Sequence, residues 1–370
     1  MRVMAMSKSE LIPEIHMESV QTVTPLRITE PRQARQVLTA DPIGSGIFRH
    51  CLHILLYHAK ASQDDARWFH VGWLKESLAR ALLENPIFAG RFREGDELME
   101  IVSNDSGIRL LETRIPASLS EFLDFRGSRG RKDAEAELVF WKDIDEQNPQ
   151  YSPLVYVQVT NFQCGGCSIG ISCSLLLADI LLKENFIKKW ADIHNNMLSK
   201  DDLPAAPMYY FPNTSKCTDS SPTSIFSSNT SKKSSQTMIF NIPGEHVNSE
   251  NDYALQFCVE EAERKFGTKM TPKWSLFLKT KSCNSIKVEN FPKDGLIKPK
   301  SGLQSQIAAA IWDDFGANDI EFRKGNKPAL VSYWIGFVSG GLVMAMPSAD
   351  QKGCPDEVKV IVTVPYQDEF

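Results

Sequence analysis

The stretch that most limits how this chain can fold runs from residue 152 to residue 198, where two strand patterns lead into a helix pattern. The strand patterns "SPLVYVQVTNF" and "CSIGISCS" are separated by Gly165-Gly166, a pair typical of a tight hairpin turn. In "ILLKENFIKKWADIHNNML" the apolar residues fall on one face of a helix: Leu182, Phe186, Trp190, Ile193 and Met197. We expect this helix to begin a few residues beyond Asp179. A strand hairpin followed by an amphipathic helix indicates an α/β fold.

The alternation of strand and helix patterns continues on both sides of that stretch. "IFRHCLHILLYH" predicts a buried strand, and "VGWLKESLARALLENP" predicts a helix that ends before Pro86. The segment "NTSKCTDSSPTSIFSSNTSKKSSQ" is rich in Ser and Thr and predicts an exposed linker. Beyond it, "TMIFNI", a helix near Tyr253–Phe266 and closing strands such as "GLVMAMP" predict a second α/β region. We therefore expect an N-terminal α/β domain over residues 1–200, a linker over 201–236 and a C-terminal α/β domain over 237–370.

Composition narrows the class of protein. With 42% hydrophobic and 24% charged residues, the chain has the make-up of a soluble globular protein. A net charge of −5 argues against nucleic-acid binding, which needs a basic face. No apolar run approaches the roughly 20 residues of a transmembrane segment, and the first residues lack the apolar core of a secretory signal. Eight scattered cysteines are then expected to be reduced thiols. We expect a cytoplasmic protein, monomeric and without a bound cofactor or metal.

Two short motifs between the strand patterns have catalytic alternatives. Cys164 and Cys167 form a C-x-x-C, but a redox pair needs a helix start and a zinc site needs two more ligands. We interpret them as residues that flank the turn, with their thiols opposite each other. Ser168 is the serine of a G-x-S-x-G, but it lies inside a strand pattern and not at a strand-to-helix elbow. The small residues beside it favour the close approach of a ligand or another strand.

The apolar run "SLLLAD" ends at Asp179, where a strand gives way to a helix. An aspartate at such a junction is commonly a helix N-cap or the partner of a buried arginine. The residue chemistry alone does not choose between these two roles, and it assigns no activity.

The order of these segments resembles the BAHD acyltransferases of plants. In that family a "CGG" strand hairpin leads into an H-x-x-x-D motif, a helix and a "WA". The segment "SPLVYVQVTNFQCGGCSIGISCSLLLAD…FIKKWA" has a similar order of elements. "WLKESLARALLENPIFAGRF" and "NDSGIRLLE" are similar to the family's early helix and the strand after it. "IWDDFGANDIEFRKGNKPALVSYWIG" is similar to the region of the D-F-G-W-G motif, and "GLVMAMP" and "VKVIVTVP" to the closing strands.

The resemblance implies a two-domain, chloramphenicol-acetyltransferase-like α/β fold with mixed sheets. It also implies that acyl-CoA, as co-substrate or ligand, meets a small-molecule acceptor in a channel between the domains. The motif histidine would be the general base on an acceptor hydroxyl or amine, which attacks the thioester. The motif aspartate would pair structurally and keep the histidine in place. The D-F-G-W-G motif would support the fold and take no part in the chemistry.

This sequence departs from the family pattern at the positions that matter most. Asp179 matches the motif aspartate, but Leu175 stands where the histidine belongs. At the D-F-G-W-G position only the carboxylate of Glu321, Phe322 and Gly325 remain. Such degenerate motifs are similar to those of the Eceriferum proteins, BAHD relatives that assist very-long-chain fatty-acid elongation for wax. The C-terminal domain also looks shortened, because one strand–helix–strand block and a last helix of the family have no counterpart.

Three functional hypotheses follow from the resemblance. The first is an acyl-CoA-dependent acyltransferase of plant metabolism that is impaired by Leu175 or uses another base; we expect His194 at the helix surface, and nothing points His50, His53 or His58 at the channel. The second is a non-catalytic accessory protein, a pseudoenzyme bound to a fatty-acid elongase component at the endoplasmic reticulum. The third is a truncated product that does not fold fully. The basic loop "FRGSRGRK" is either a site for a CoA phosphate or a solvated loop.

Overall fold

The computed structural model describes residues 14–60, 71–94, 99–127, 132–183, 185–199, 207, 235–244, 253–271, 273–279, 284–292, 307–336, 338, 340–347 and 357–366. The strands in this part of the chain are β1 (His16–Val23), β2 (Ala34–Leu38), β3 (Cys51–His58), β4 (Arg91–Glu94), β5 (Met99–Val102), β6 (Ile108–Ile115), β7 (Val155–Phe162), β8 (Cys167–Ser174), β9 (Ser235–Pro243), β10 (Lys273–Lys279), β11 (Ser285–Pro292), β12 (Ala308–Ala310), β13 (Leu330–Gly336), β14 (Leu342–Pro347) and β15 (Glu357–Pro365). The α-helices are α1 (Val71–Ala81), α2 (Leu119–Gly127), α3 (Leu175–Lys183), α4 (Phe186–Leu198) and α5 (Tyr253–Phe266).

The first sheet has six strands in the order β1-β6-β7-β8-β3-β13. Strands β6 and β7 are parallel and the other neighbours are antiparallel, so the sheet is mixed. The central strands β3 and β8 are buried along their whole length, because the helices α1, α3 and α4 share one apolar cluster with one face of the sheet. A 3-10 segment, Lys132–Leu138, covers part of the other face.

The second sheet has nine strands in the order β12-β9-β15-β14-β10-β11-β2-β5-β4. It is also mixed, since β10 pairs in parallel with β14 and β11 pairs in parallel with β2. Helix α5 packs on it through an apolar cluster of its own. The two mixed sheets with their helices confirm the predicted α/β class. None of the described helices has the length and apolar character needed to cross a bilayer.

Each sheet takes strands from both sides of the Ser/Thr-rich segment. Strand β13 from the C-terminal part is hydrogen-bonded to β3 of the first sheet, while β2, β4 and β5 from the N-terminal part complete the second sheet. Residues 208–234, most of the expected linker, lie outside the described residues. The domain boundaries at residues 200 and 236 stay a prediction. Any division of the chain into domains there must allow for the strands that each part contributes to the other part's sheet.

The helix that follows the hairpin differs from the sequence prediction in two ways. It begins at Leu175, directly after β8, so Asp179 lies one turn inside α3 and is not at its start. The single helix expected over residues 180–198 is two helices, α3 and α4. The break falls beside Asn185, whose φ of 50° is left-handed, a conformation that asparagine tolerates better than most residues.

The hairpin between β7 and β8 is one residue longer than the Gly-Gly pair predicts. Its loop contains Gln163, Cys164 and Gly165, with the N–H of Phe162 donating to the carbonyl of Gly166 at 2.9 Å and Gly165 at φ 82°. As a result Cys164 is exposed in the turn, whereas Cys167 is buried in β8 opposite Asn161. Both thiols are free. The expectation that the thiols face each other is therefore wrong.

The small residues of β8 make room for protein and not for a ligand. A Cβ added to Gly170 would lie 2.3 Å from the carbonyl oxygen of Leu138, at the end of the 3-10 segment. Ser168, on the same face of the strand, is completely buried, and its hydroxyl has no hydrogen-bond partner within the described chain. A buried serine in mid-strand cannot be a hydrolytic nucleophile.

We predict that Gly170→Ala lowers the free energy of unfolding by about 1–3 kcal/mol, because the new methyl group must displace the backbone at Leu138. Ser168→Ala is the matched control on the same strand face, and it should change stability by less than about 0.5 kcal/mol since no hydrogen bond is lost. Urea denaturation of both variants checks this pair. Equal losses in the two variants would contradict the close packing at Gly170.

Candidate functional site

The position expected for a catalytic base is apolar and closed. Leu175 is the first residue of α3 and only 1% exposed. Its N–H donates a hydrogen bond of 3.1 Å to the carbonyl of His50, in the loop before β3. The neighbouring Leu176 and Leu177 are also buried in the core of the first sheet. No side chain on this first turn of α3 can accept a proton.

Asp179 lies one turn further along α3 and forms a buried ion pair with Arg35 of β2. An Nη2 group of Arg35 donates to Oδ1 of Asp179 at 2.8 Å, and the two side chains are 0% and 3% exposed. Since β2 belongs to the second sheet, the pair joins a helix of the first sheet to the second sheet. Of the two roles open to Asp179 from sequence, the structure shows the buried arginine partner and not the N-cap.

Not all hydrogen-bond donors of this ion pair have a partner. The Nε and Nη1 groups of Arg35 are buried, and neither has a hydrogen-bond partner among the described residues. One charge-assisted hydrogen bond therefore carries most of the attraction in a site that excludes water. Such a pair is expensive to break, because each partner would leave the other as an uncompensated buried charge.

The loop before β3 brings His50 to the same junction between the sheets. The imidazole of His50 packs edge-on against Phe277 of β10, with 5.8 Å between ring centroids. Close by, the hydroxyl of Ser275 donates to the carbonyl of Ser45 at 3.1 Å. Burial lowers the pKa of His50 to about 4, so the ring is neutral near neutral pH. His50 is thus the histidine whose backbone carbonyl contacts the N–H of Leu175. The strand pattern of the sequence did not predict this contact.

A second buried histidine lies on the opposite face of β3. Nδ1 of His53 is 2.8 Å from the hydroxyl of Ser172, and Nε2 is 3.1 Å from the thiol of Cys51. Burial lowers the pKa of His53 to about 3 and raises the pKa of Cys51 well above its usual value. The three side chains resemble a nucleophile–base arrangement, but all are buried on β3 and β8, which have paired strands on both sides. They hold β3 and β8 together.

The predicted structural motif has a clear packing role at Phe322. This ring is buried among Trp190 at 4.7 Å, His58 at 6.0 Å and His194 at 6.0 Å between centroids. The Nδ1 atom of His194 lies 3.0 Å from the hydroxyl of Ser77, which links α4 to α1. The expectation of a surface position for His194 is wrong: the side chain is buried where the two helices meet.

Glu321 and Gly325 form the turn that presents Phe322. The N–H of Gly325 donates to Oε2 of Glu321 at 2.7 Å, and Gly325 has a φ of 79°, which favours glycine. The side chain of Asn195 on α4 donates to the carbonyl of Glu321. Glu321, Phe322 and Gly325 are therefore in one local structure, in which Glu321 and Phe322 contact α4.

Two further expectations concern bound groups. Within the described ranges, no group of three or more histidine, cysteine or carboxylate side chains is arranged to hold a metal ion. The basic loop over residues 125–132 lies partly outside those ranges. Inside them, the Nε group of Arg126 pairs with buried Glu135 at 3.0 Å, so this charge supports the fold of the first sheet. A CoA phosphate site in that loop stays a prediction.

We predict that Asp179→Asn or Arg35→Met alone lowers the free energy of unfolding by about 3–5 kcal/mol, because each leaves a buried unpaired charge. The double variant Arg35→Met/Asp179→Leu should lose much less than the sum of the single variants. Arg49→Met is the control, since it breaks an exposed pair with Glu146 and should cost at most about 1 kcal/mol. Additive losses in the urea double-mutant cycle would show that the two side chains are not coupled.

The buried imidazoles predict sensitivity to acid. Burial lowers the pKa values of His50, His58 and His194 to about 4 and that of His53 to about 3, below the ordinary 6.5. Between pH 6.5 and pH 4 the unfolded chain therefore binds more protons than the folded chain, and stability must fall as the pH falls through this window. Urea midpoints over this range check the slope, which should be smaller in His194→Gln than in the unaltered chain.

Comparison with known proteins identifies the family. The model of the "Transferase family" matches residues 17–238, more than half of the chain. Rosmarinate synthase of Plectranthus scutellarioides is 31% identical over 152 residues, which are 41% of this chain and 34% of the relative. A hydroxycinnamoyltransferase of Narcissus pseudonarcissus is 31% identical over 145 residues, 39% of this chain and 32% of the relative. These alignments span about a third of the relatives' own length.

The solved structures that match this chain share little sequence with it, and their TM-scores are below 0.5. Vinorine synthase is 15% identical with a TM-score of 0.46, over 95% of both chains. The enzyme TRI101 of F. graminearum, crystallised with ethyl coenzyme A, is 12% identical with a TM-score of 0.41, over 90% of this chain and 95% of that one. The assignment rests on the family match, and the α/β architecture with mixed sheets is the fold class expected of such a member. The chain belongs to the Transferase family, which contains the plant BAHD acyltransferases.

Proposed function

We propose that this chain is a homologue of the acyl-CoA-dependent acyltransferases. We further propose that its own transfer of an acyl group to a hydroxyl or amine of a plant metabolite is impaired. The observation that carries the proposal is the geometry of α3. The ion pair of Asp179 with Arg35 is present, whereas the position one turn earlier holds the buried side chain of Leu175. The ion pair of the proposed motif aspartate is thus in place, whereas the proposed position of the proton acceptor is apolar. A positioned general base contributes roughly 10²–10⁴-fold to such reactions.

The relatives suggest the donor to test first. Two of them, from Avena sativa and Actaea racemosa, are named for transfer from hydroxycinnamoyl-CoA, one to 5-hydroxyanthranilate and the other to piscidic acid. The name of the first specifies N-acylation, so its acceptor supplies an amine. Hydroxycinnamoyl-CoA is therefore the donor class that we propose, with amine and alcohol acceptors tested side by side.

The same observation supports a second candidate function, a non-catalytic accessory role in very-long-chain fatty-acid or wax elongation. A leucine that closes the base position makes the site more apolar, which suits holding an acyl chain and not activating a hydroxyl. In this case the protein would bind a long-chain acyl-CoA, or an elongase component, without turnover. Equilibrium dialysis with long-chain acyl-CoA, run beside an assay for released CoA thiol, separates binding from transfer.

We predict that Leu175→His raises acceptor-dependent CoA release from hydroxycinnamoyl-CoA by about 10²–10⁴-fold, because it restores a general base for the acceptor hydroxyl or amine at the proposed base position. Leu175→Gln is the matched control, since glutamine is polar and of similar size but is no base. A thermal transition equal to that of the unaltered chain verifies that each variant is folded. No gain from a folded Leu175→His variant would show that the missing base is not what limits transfer.

His50 provides the test of the opposite outcome. Its backbone already contacts Leu175 and its ring lies at the junction of the two sheets. If the unaltered chain transfers acyl groups efficiently and His50→Gln abolishes this transfer, His50 is the working base and the proposed impairment is wrong. If the unaltered chain is inactive, His50→Gln should change nothing in the assay.

A further inference from the structure

A pocket on the outer strands of the second sheet is rich in positive charge. It has a volume of about 410 Å³ and lies where β4 and β5 meet the 3-10 turn Pro149–Tyr151. The residues that line it are Arg32, Arg91, Phe92, Arg93, Val102, Asn104, Gln147 and Gln150. The described lining residues thus include three arginines and three residues with side-chain amides, and no carboxylate is among them.

Arg91 is the buried residue at the floor of this pocket. It is 3% exposed, and its guanidinium donates to the carbonyls of Gly90 at 2.7 Å, Gly107 at 2.9 Å and Ser106 at 3.3 Å. These carbonyls are neutral and fix the side chain without cancelling its charge. Within the described chain Arg91 forms no ion pair, although buried charges in proteins are normally paired. Burial lowers the pKa of Arg91 to about 10, and the positive charge of a second arginine, Arg109, contributes to this shift.

In the described chain, three carboxylates that contact or adjoin the lining residues have partners other than Arg91 and Arg32. Glu100 pairs with Arg93 at 2.7 Å, which offsets that one charge at the rim. Asp105 accepts hydrogen bonds from the N–H and the hydroxyl of Thr29 at 2.9 and 2.6 Å. Asp145 accepts the N–H of Gln147 at 2.9 Å. The charges of Arg91 and exposed Arg32 therefore remain without a described carboxylate partner, in a concave site with amide donors.

We propose that this pocket binds a small oxyanion, a phosphoryl or carboxylate group of a metabolite, with Arg91 as the fixed buried charge and Arg32 as the charge at the entrance. Guanidinium groups match both kinds of anion through paired N–H donors. The side-chain amides of Asn104, Gln147 and Gln150 supply further donors. The site is independent of Leu175 and Asp179, so it stands whether or not the chain transfers acyl groups.

Titration of the full chain with inorganic phosphate and, separately, with acetate tests the site by calorimetry and by thermal midpoint, with sodium chloride at matched ionic strength as the reference. We expect saturable binding of at least one of these anions and a rise in midpoint beyond that in chloride. Phosphate alone would assign a phosphoryl group, and acetate alone would assign a carboxylate. Saturable binding of neither anion overturns the proposal.

Arg32→Gln should weaken the binding by about tenfold, the loss of one charge-assisted hydrogen bond. Gln150→Ala should weaken it less and serves as a second variant of the same pocket. Arg114→Gln is the matched control: it removes an exposed arginine that pairs with Glu18 near the far end of β6, and affinity should not change. Equal affinities in Arg32→Gln, Gln150→Ala and the control would mean an adventitious surface anion and would also overturn the proposal.

Discussion

The ion pair between Arg35 and Asp179 is the interaction on which the arrangement of the two sheets most depends. It is the place where a helix resting on the first sheet holds a strand of the second through opposite charges that water cannot reach. Apolar contacts between the sheets tolerate small shifts, but a single 2.8 Å hydrogen bond between buried charges does not. The pair therefore fixes the position of the start of α3 relative to β2. The position of Leu175, one turn before Asp179, is fixed with it.

The buried imidazoles show a different use of polar residues in the same core. His58 and His194 pack edge-on against Phe322, and His53 bridges Cys51 to Ser172 across two strands. A neutral imidazole offers one donor and one acceptor on a flat ring, so it fills space like an aromatic side chain while it satisfies polar neighbours. This works only while the rings stay uncharged. These three buried histidines are structural for that reason.

The sequence predicted those parts of the structure that depend on neighbouring residues. Helix α5 has the limits expected from its apolar spacing, and β14 and β15 lie where the apolar segments "GLVMAMP" and "VKVIVTVP" predict strands. Contacts that depend on distant residues were out of reach: Arg35 is 144 positions from Asp179, and nothing in "PRQARQVL" marks it as a buried partner. The exchange of β13 for β2, β4 and β5 is equally invisible, because strand patterns give no pairing order. At Asn185 one left-handed residue divided an unbroken apolar stripe into two helices.

On the proposed match of Leu175 to a motif histidine and of Asp179 to a motif aspartate, the energetics explain how the base can be lost and the aspartate kept. A histidine at position 175 would matter to the chemistry, but its loss leaves no charge behind, and leucine fills the same apolar space at little cost. Asp179 cannot be lost so easily, since its removal would leave Arg35 buried without a counter-charge. The two positions of one motif are therefore under different physical constraints, one set by catalysis and the other by folding. A chain that retains the aspartate alone retains what its fold requires, so the presence of Asp179 is by itself no argument for activity.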